Sequence, residues 1–159
     1  MKWNVIAVTV MALALGATGA HAAGGDPMPR PTPKPNETPN VSAEDRYNNG
    51  LERLSKRDWL GAEQAFRDAI ALKPDMPEAW NELGHTLKNE KRFDESIAAY
   101  TEALRLRPNY PQALEYLGEA YVAMGKMAEA HAVLDRLRPL DEQHAQELAK
   151  AILSGTTQW

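Results

Sequence analysis

No cysteine occurs anywhere in the 159 residues, so a disulfide framework, a thiolate metal site and a thiol nucleophile are all excluded. Clustered basic residues are missing as well. Lys and Arg number 18 against 22 Asp and Glu, for a formal net charge of −4, a balance that disfavours nucleic acid and anionic membrane surfaces as partners. No serine stands in a G-x-S-x-G setting, and no glycine loop suited to cradling phosphate is present. Histidines are few; His131 and Asp135 lie four apart, but two ligands without a third do not make a metal site. With no catalytic constellation to assemble, the expectation is a protein that is not an enzyme and uses no cofactor or metal.

Long apolar runs are also lacking, with one exception. Residues 5–15, within "MKWNVIAVTVMALALGATGAHAAGG", are apolar but too few to span about 30 Å of hydrocarbon as a membrane anchor. Lys2 precedes them, and Ala20 and Ala22 follow in A-x-A order. That succession is the pattern of a cleaved signal peptide, residues 1–22. Without a cysteine to carry a lipid, the mature chain is expected to be soluble, periplasmic or secreted, with no membrane insertion after cleavage. The small-residue ending favours a bacterial periplasm. Loss of Lys2 makes the net charge one unit more negative. Proline is not spread evenly: six of the 11 prolines (Pro27, Pro29, Pro31, Pro33, Pro35 and Pro39) crowd together. Residues 23–42 therefore read as an extended, solvated spacer, because proline lacks the backbone donor that helices and sheet interiors need.

Beyond residue 42 the chain repeats itself at a shift of 34. Gly50, Gly84 and Gly118 share a column, as do Ala62, Ser96 and Ala130; Phe66, Tyr100 and Leu134; and Leu72, Leu106 and Leu140. Trp59, Phe93 and Met127 form a bulky column, Pro74 and Pro108 close two copies, and Pro77 and Pro111 open the next. Agreement over so many columns at one period marks a repeat architecture. Each copy holds two apolar patterns of helical period, with small residues where two helices must approach and bulky ones to either side. Arg57, Lys91 and Gly125 share the position where each hairpin turns, which suits glycine better than the two cations.

The second copy carries Trp80-x-x-Leu83-Gly84, then Ser96-x-x-x-Tyr100, Ala103 and Pro108, and the third carries Leu114-x-x-Leu117-Gly118-x-x-Tyr121 with Ala130-x-x-x-Leu134. This resembles the tetratricopeptide repeat (TPR), of 34 residues. The resemblance implies an all-α fold: an α-solenoid of three helical hairpins, residues 43–76, 77–110 and 111–144, within a domain spanning 43–153. In the first copy Arg46, Asn49 and Arg53 replace apolar residues on one helical face, as expected of a solvated end cap. At the other end Asp141 is the expected N-cap of a closing helix, about 141–153, that presents Ala145, Leu148, Ala149 and Ile152 along one face.

Resemblance to the family further implies that ligand is held in the concave groove, along the outward face of each first helix. The groove residues so implied are Tyr47, Leu51, Asn81, His85, Glu115 and Glu119, within a wider set that includes Glu44, Glu78 and Lys88. Repeats that bind the acidic C-termini of heat-shock chaperones carry Lys and Asn there as a carboxylate clamp. The corresponding places here are Tyr47, Leu51, Glu82, Gln112 and Tyr116, so the clamp is missing. The row Glu44, Glu78, Glu115 and Glu119 then favours a protein or peptide partner that is neutral to basic and partly apolar. His85 is expected to titrate near neutrality and loosen a basic ligand when protonated. The expected role is thus a non-enzymatic binding module of the cell envelope. The alternative is an envelope-assembly scaffold that docks or forms a homodimer through its convex or terminal faces.

Overall fold

The computed structural model describes residues 41–155; the expected signal peptide, and the expected spacer apart from Val41 and Ser42, lie outside them. The described residues contain no strand. Seven helices follow one another: α1 (Ala43–Ser55), α2 (Trp59–Leu72), α3 (Pro77–Asn89), α4 (Phe93–Leu106), α5 (Pro111–Ala123), α6 (Met127–Leu137) and α7 (Glu142–Ser154). The chain is an all-α solenoid of three helical hairpins closed by α7, which packs on α5 and α6.

Local chemistry sets the helix ends. Ser42 and Asp45 form a reciprocal capping box at α1: the Asp45 N–H donates to Ser42 Oγ at 3.0 Å, and the Ser42 N–H donates to Asp45 Oδ2 at 2.9 Å. Asp58 accepts from the Gly61 N–H at 3.0 Å, and Asp141 caps α7 by accepting from the His144 N–H at 3.1 Å. Proline opens α3 and α5 at the first helical position, where a missing N–H costs nothing. At all three hairpin turns the same repeat position is left-handed, with φ of 57° at Arg57, 62° at Lys91 and 71° at Gly125.

The glycine column and the aromatic column meet in space. A Cβ on Gly84 would lie 2.7 Å from two ring atoms of Tyr100, and one on Gly50 would strike the Phe66 ring. Each ring lies against the backbone of the preceding helix, and both rings are fully buried. Ser96 Oγ–H, also buried, donates to the Gly84 carbonyl at 2.9 Å and draws α4 onto α3. The third copy departs from this arrangement. Leu134 is smaller than a ring, and a Cβ on Gly118 would meet Leu148 of α7, with Leu148 Cδ1 at 2.6 Å. The closing helix thus occupies the space against Gly118. Ala145, Leu148 and Ile152 are buried, Ala149 is partly buried, and Ala151 joins them. At the opposite end Arg46, Asn49 and Arg53 keep polar partners: Arg53 Nε donates to Asn49 at 2.9 Å, Arg53 pairs with Asp58 at 2.6 Å, and Arg46 reaches Asp68 at 3.8 Å.

Candidate functional site

Which helices line the concave side follows from which ones touch. α1 contacts α3 and α3 contacts α5, whereas the second helices α2, α4 and α6 do not contact one another. The first helices therefore lie inside the curve and the second helices fan outside it.

On the inner side Tyr47 of α1 is half-buried, its ring 5.8 Å from that of Phe66, and Leu51 one turn later is 37% exposed. At the centre, on α3, stands Glu82. Only 13% of its side chain is exposed. Asn81 Nδ2 donates to Glu82 Oε1 at 3.1 Å, and His85 Nδ1 lies 4.0 Å from Oε2. Burial raises the Glu82 pKa because desolvation penalises the charged form. After burial itself, the charge of Glu82 is the next cause raising the phenol pKa values of Tyr47 and of Tyr110, the latter to about 12. Burial also raises Tyr116, which likewise feels the Glu82 charge. Three tyrosines, from α1, from the turn before α5 and from α5, thus feel the charge of one carboxylate. Tyr110 O–H donates to Gln112 Oε1 at 3.4 Å and Gln112 Nε2 donates to Tyr116 Oη at 3.3 Å. The His85 ring meets Tyr116 edge-on at 5.2 Å.

The sequence-derived site residues fare unevenly in this geometry. Tyr47, Leu51 and His85 are accessible from the inner face, and Glu115 is partly so. Asn81 is completely buried and offers no surface to a ligand. Glu119 is held by Lys88, whose Nζ lies 2.5 Å from Oε2 with side-chain exposures of 4% and 13%, and Lys88 also sits 4.5 Å over the Tyr116 ring. Two more of the expected acidic row are engaged by cations, and the fourth faces an imidazole. Glu44 pairs with Lys73 at 2.9 Å, Glu78 with Arg107, and Glu115 faces His144 at 3.6 Å. Nor does His85 titrate near neutrality: burial, reinforced by the Lys88 charge, lowers its pKa to about 4, so the imidazole stays neutral.

Sequence reasoning missed Glu82 and Tyr110 as the middle of the face, although it had named Glu82 among the positions where the clamp is absent. One signal was legible. Glu44 with Lys73, and Glu78 with Arg107, are the same pair of columns one repeat apart, so a correlated charge pattern marks those glutamates as internally matched. Glu82 has no such cationic column. Among the described residues no three His, Cys, Asp or Glu side chains are grouped so as to hold a metal ion, and no helix is long and apolar enough to cross a membrane.

An all-α hairpin solenoid with a side-chain-lined inner face defines the helical-repeat class of binding scaffold. Two models of the tetratricopeptide repeat match the chain, over residues 47–87 and 87–153, and the chain belongs to the tetratricopeptide repeat family. It is similar to the TPR2B domain of yeast Sti1, solved as a complex with pHsp70, at 25% identity and a TM-score of 0.67, covering 71% of this chain and 94% of that one. It has the same fold as the first TPR of Spaghetti (RPAP3) bound to the HSP90 peptide SRMEEVD, at 18% identity and a TM-score of 0.67 over 71% of this chain and 91% of that one. Among curated proteins it resembles the peroxisomal targeting signal receptor of Eremothecium gossypii, 34% identical over 65 residues, or 41% of this chain; the match spans 11% of the receptor's length. Domains of this family typically bind peptides or proteins.

Proposed function

We propose that the chain is a non-enzymatic peptide-binding module of the cell envelope that holds an extended segment of a partner protein along α1, α3 and α5. The observation that carries this reading is the band of accessible or half-buried apolar and aromatic side chains on the inner face, Tyr47, Leu51, Tyr110 and Tyr116. Rigid rings and aliphatic anchors of this kind supply most of the energy in peptide recognition. One solved structure of this fold is bound to an HSP90 peptide and another is a complex with pHsp70, but with Glu82 where a clamp residue would stand, the ligand here is neutral to basic and partly apolar. Export rests on the pattern of residues 1–22 alone.

A photo-crosslinking residue placed at Leu51 or at His85, with Ala132 as the outer-face control, tests the reading in envelope fractions of the native cell. Crosslinks to one partner from the first two positions and not from the third are expected. N-terminal sequencing of the recovered protein is expected to begin at Ala23. One observation favours the docking alternative. The outer face carries two partly open cavities of about 340 and 320 Å³, the first lined by Leu117, Tyr121, Ala132 and Val133, the second by Leu83, Leu87, Ala98 and Ala99. They are one slot repeated at the 34-residue period. A partner crosslinked from Ala132 alone establishes that alternative.

A further inference from the structure

The sequence leads one to expect an inner face made acidic by a row of four glutamates, yet three of those have a cationic partner, Lys73 for Glu44, Arg107 for Glu78 and Lys88 for Glu119, while Glu115 faces the His144 imidazole. Glu82 differs from those three. Its polar contacts are the neutral Asn81 amide at 3.1 Å and the His85 imidazole at 4.0 Å. A mostly buried carboxylate without a cation is unfavourable for the fold, and such a group in a concave face points to a ligand. A second, independent feature sits beside it. Asn81 is wholly buried, and its Oδ1 accepts no hydrogen bond, although the other end of the same amide touches Glu82. Asn81 thus gives its amide N–H to Glu82 from beneath the surface and leaves the carboxylate as the acceptor on the inner face.

We propose that Glu82, held by Asn81 and beside His85, is the seat for one cationic side chain, lysine or arginine, of the peptide bound on the inner face. The proposal rests on the peptide-binding reading above and names the chemistry its ligand must bring. An ammonium or guanidinium group carries several donors and no acceptor, which is what a carboxylate with one amide donor and no cation requires. The tyrosine rings of the inner face suit a cation as well. Two of them already carry one on a face, Lys88 at 4.5 Å from the Tyr116 centroid and Arg107 at 4.7 Å from that of Tyr110. An acidic peptide would instead meet a like charge in a poorly solvated place, the opposite of what a carboxylate clamp offers.

The test starts from a phage library of random decapeptides panned on the full chain after export, so that no ligand is presumed. Selected peptides are expected to share one Lys or Arg at a fixed position. Replacing that residue by norleucine is expected to weaken binding by about 30-fold or more, the effect of removing one partner of a desolvated charge pair. Against Glu82→Gln the basic and norleucine peptides are expected to bind alike. Glu82→Gln is expected to melt no lower than the parent, so its loss of discrimination is not a loss of fold. Peptides that lose affinity with Tyr47→Ala yet carry no basic residue, or ignore Glu82→Gln, overturn this inference and leave the groove reading standing. Failure to select any peptide sensitive to Tyr47→Ala overturns both.

Discussion

Gly84→Ala adds one methyl group to the helix pair on which the rest of the solenoid stacks. Its Cβ would sit 2.7 Å from Tyr100 Cδ1 and Cε1, closer than carbon atoms tolerate. The ring has nowhere to retreat: Tyr100 is 0% exposed, and the Tyr116 ring lies 6.0 Å beyond. α3 and α4 must therefore separate. Overpacking of this kind costs about 2 kcal/mol. Separation also stretches the buried 2.9 Å bond from Ser96 to the Gly84 carbonyl, for about 1 kcal/mol more. Alanine's better helix propensity returns about 1 kcal/mol. The net expectation is a loss of about 2 kcal/mol, or a fall in Tm of roughly 8 °C for a domain of this size. Urea denaturation of the full chain followed by circular dichroism measures it, with the double variant Gly84→Ala/Tyr100→Leu as the partner arm. Leucine is the residue that accompanies glycine in the third copy, at Leu134, and removing the ring should make the added methyl nearly harmless, so the two changes are expected to be strongly non-additive. If Gly84→Ala is as stable as the parent, or if the two substitutions simply add, the ring is not what fixes the spacing of α3 and α4.

Three further outcomes are expected. Lys91→Gly and Arg57→Gly should each raise stability by about 0.5–1 kcal/mol, because both residues are held at positive φ where a side chain is strained; the same denaturation assay reads it. Truncation after Pro139 should destabilise by several kcal/mol, since it removes α7 with Leu148 and Ile152, each worth about 1.5–3 kcal/mol of burial, and Gly118→Ala should then have a smaller effect than in the intact chain. Glu82→Gln should be more stable than the parent at neutral pH and lose that advantage in acid. The folded-state pKa of Glu82 is raised by burial, so the stability this group contributes is fully present below the unfolded pKa and is lost as pH rises through the folded one. Melting curves across that acid range give the sign directly, and an advantage that grows toward low pH contradicts it.

Much of the scaffold was legible in the amino-acid order because it depends on local chemistry and on columns compared with themselves. The prolines that open α3 and α5 and the Asp141 cap act on residues a few positions away, and the period of 34 and the shared turn position of Arg57, Lys91 and Gly125 show once the copies are laid on one another. The chemistry of the inner face was not so fixed. Whether a glutamate there is free depends on partners about one repeat away, as with Lys73 for Glu44, Arg107 for Glu78 and Lys88 for Glu119, and a helical register alone shows a glutamate without its partner. The same limit applies to Asn81, placed on the inner face by its register but wholly enclosed, and to His85, whose ordinary pKa is pushed to about 4 by burial and Lys88. It applies to Gly118, whose column suggested its own hairpin partner but whose space is filled by α7. The sequence by itself determined that three hairpins form and stack. Only the tertiary structure decided which glutamates meet a cation and that Glu82 meets none, because desolvation and ion pairing are properties of side chains brought together from different repeats.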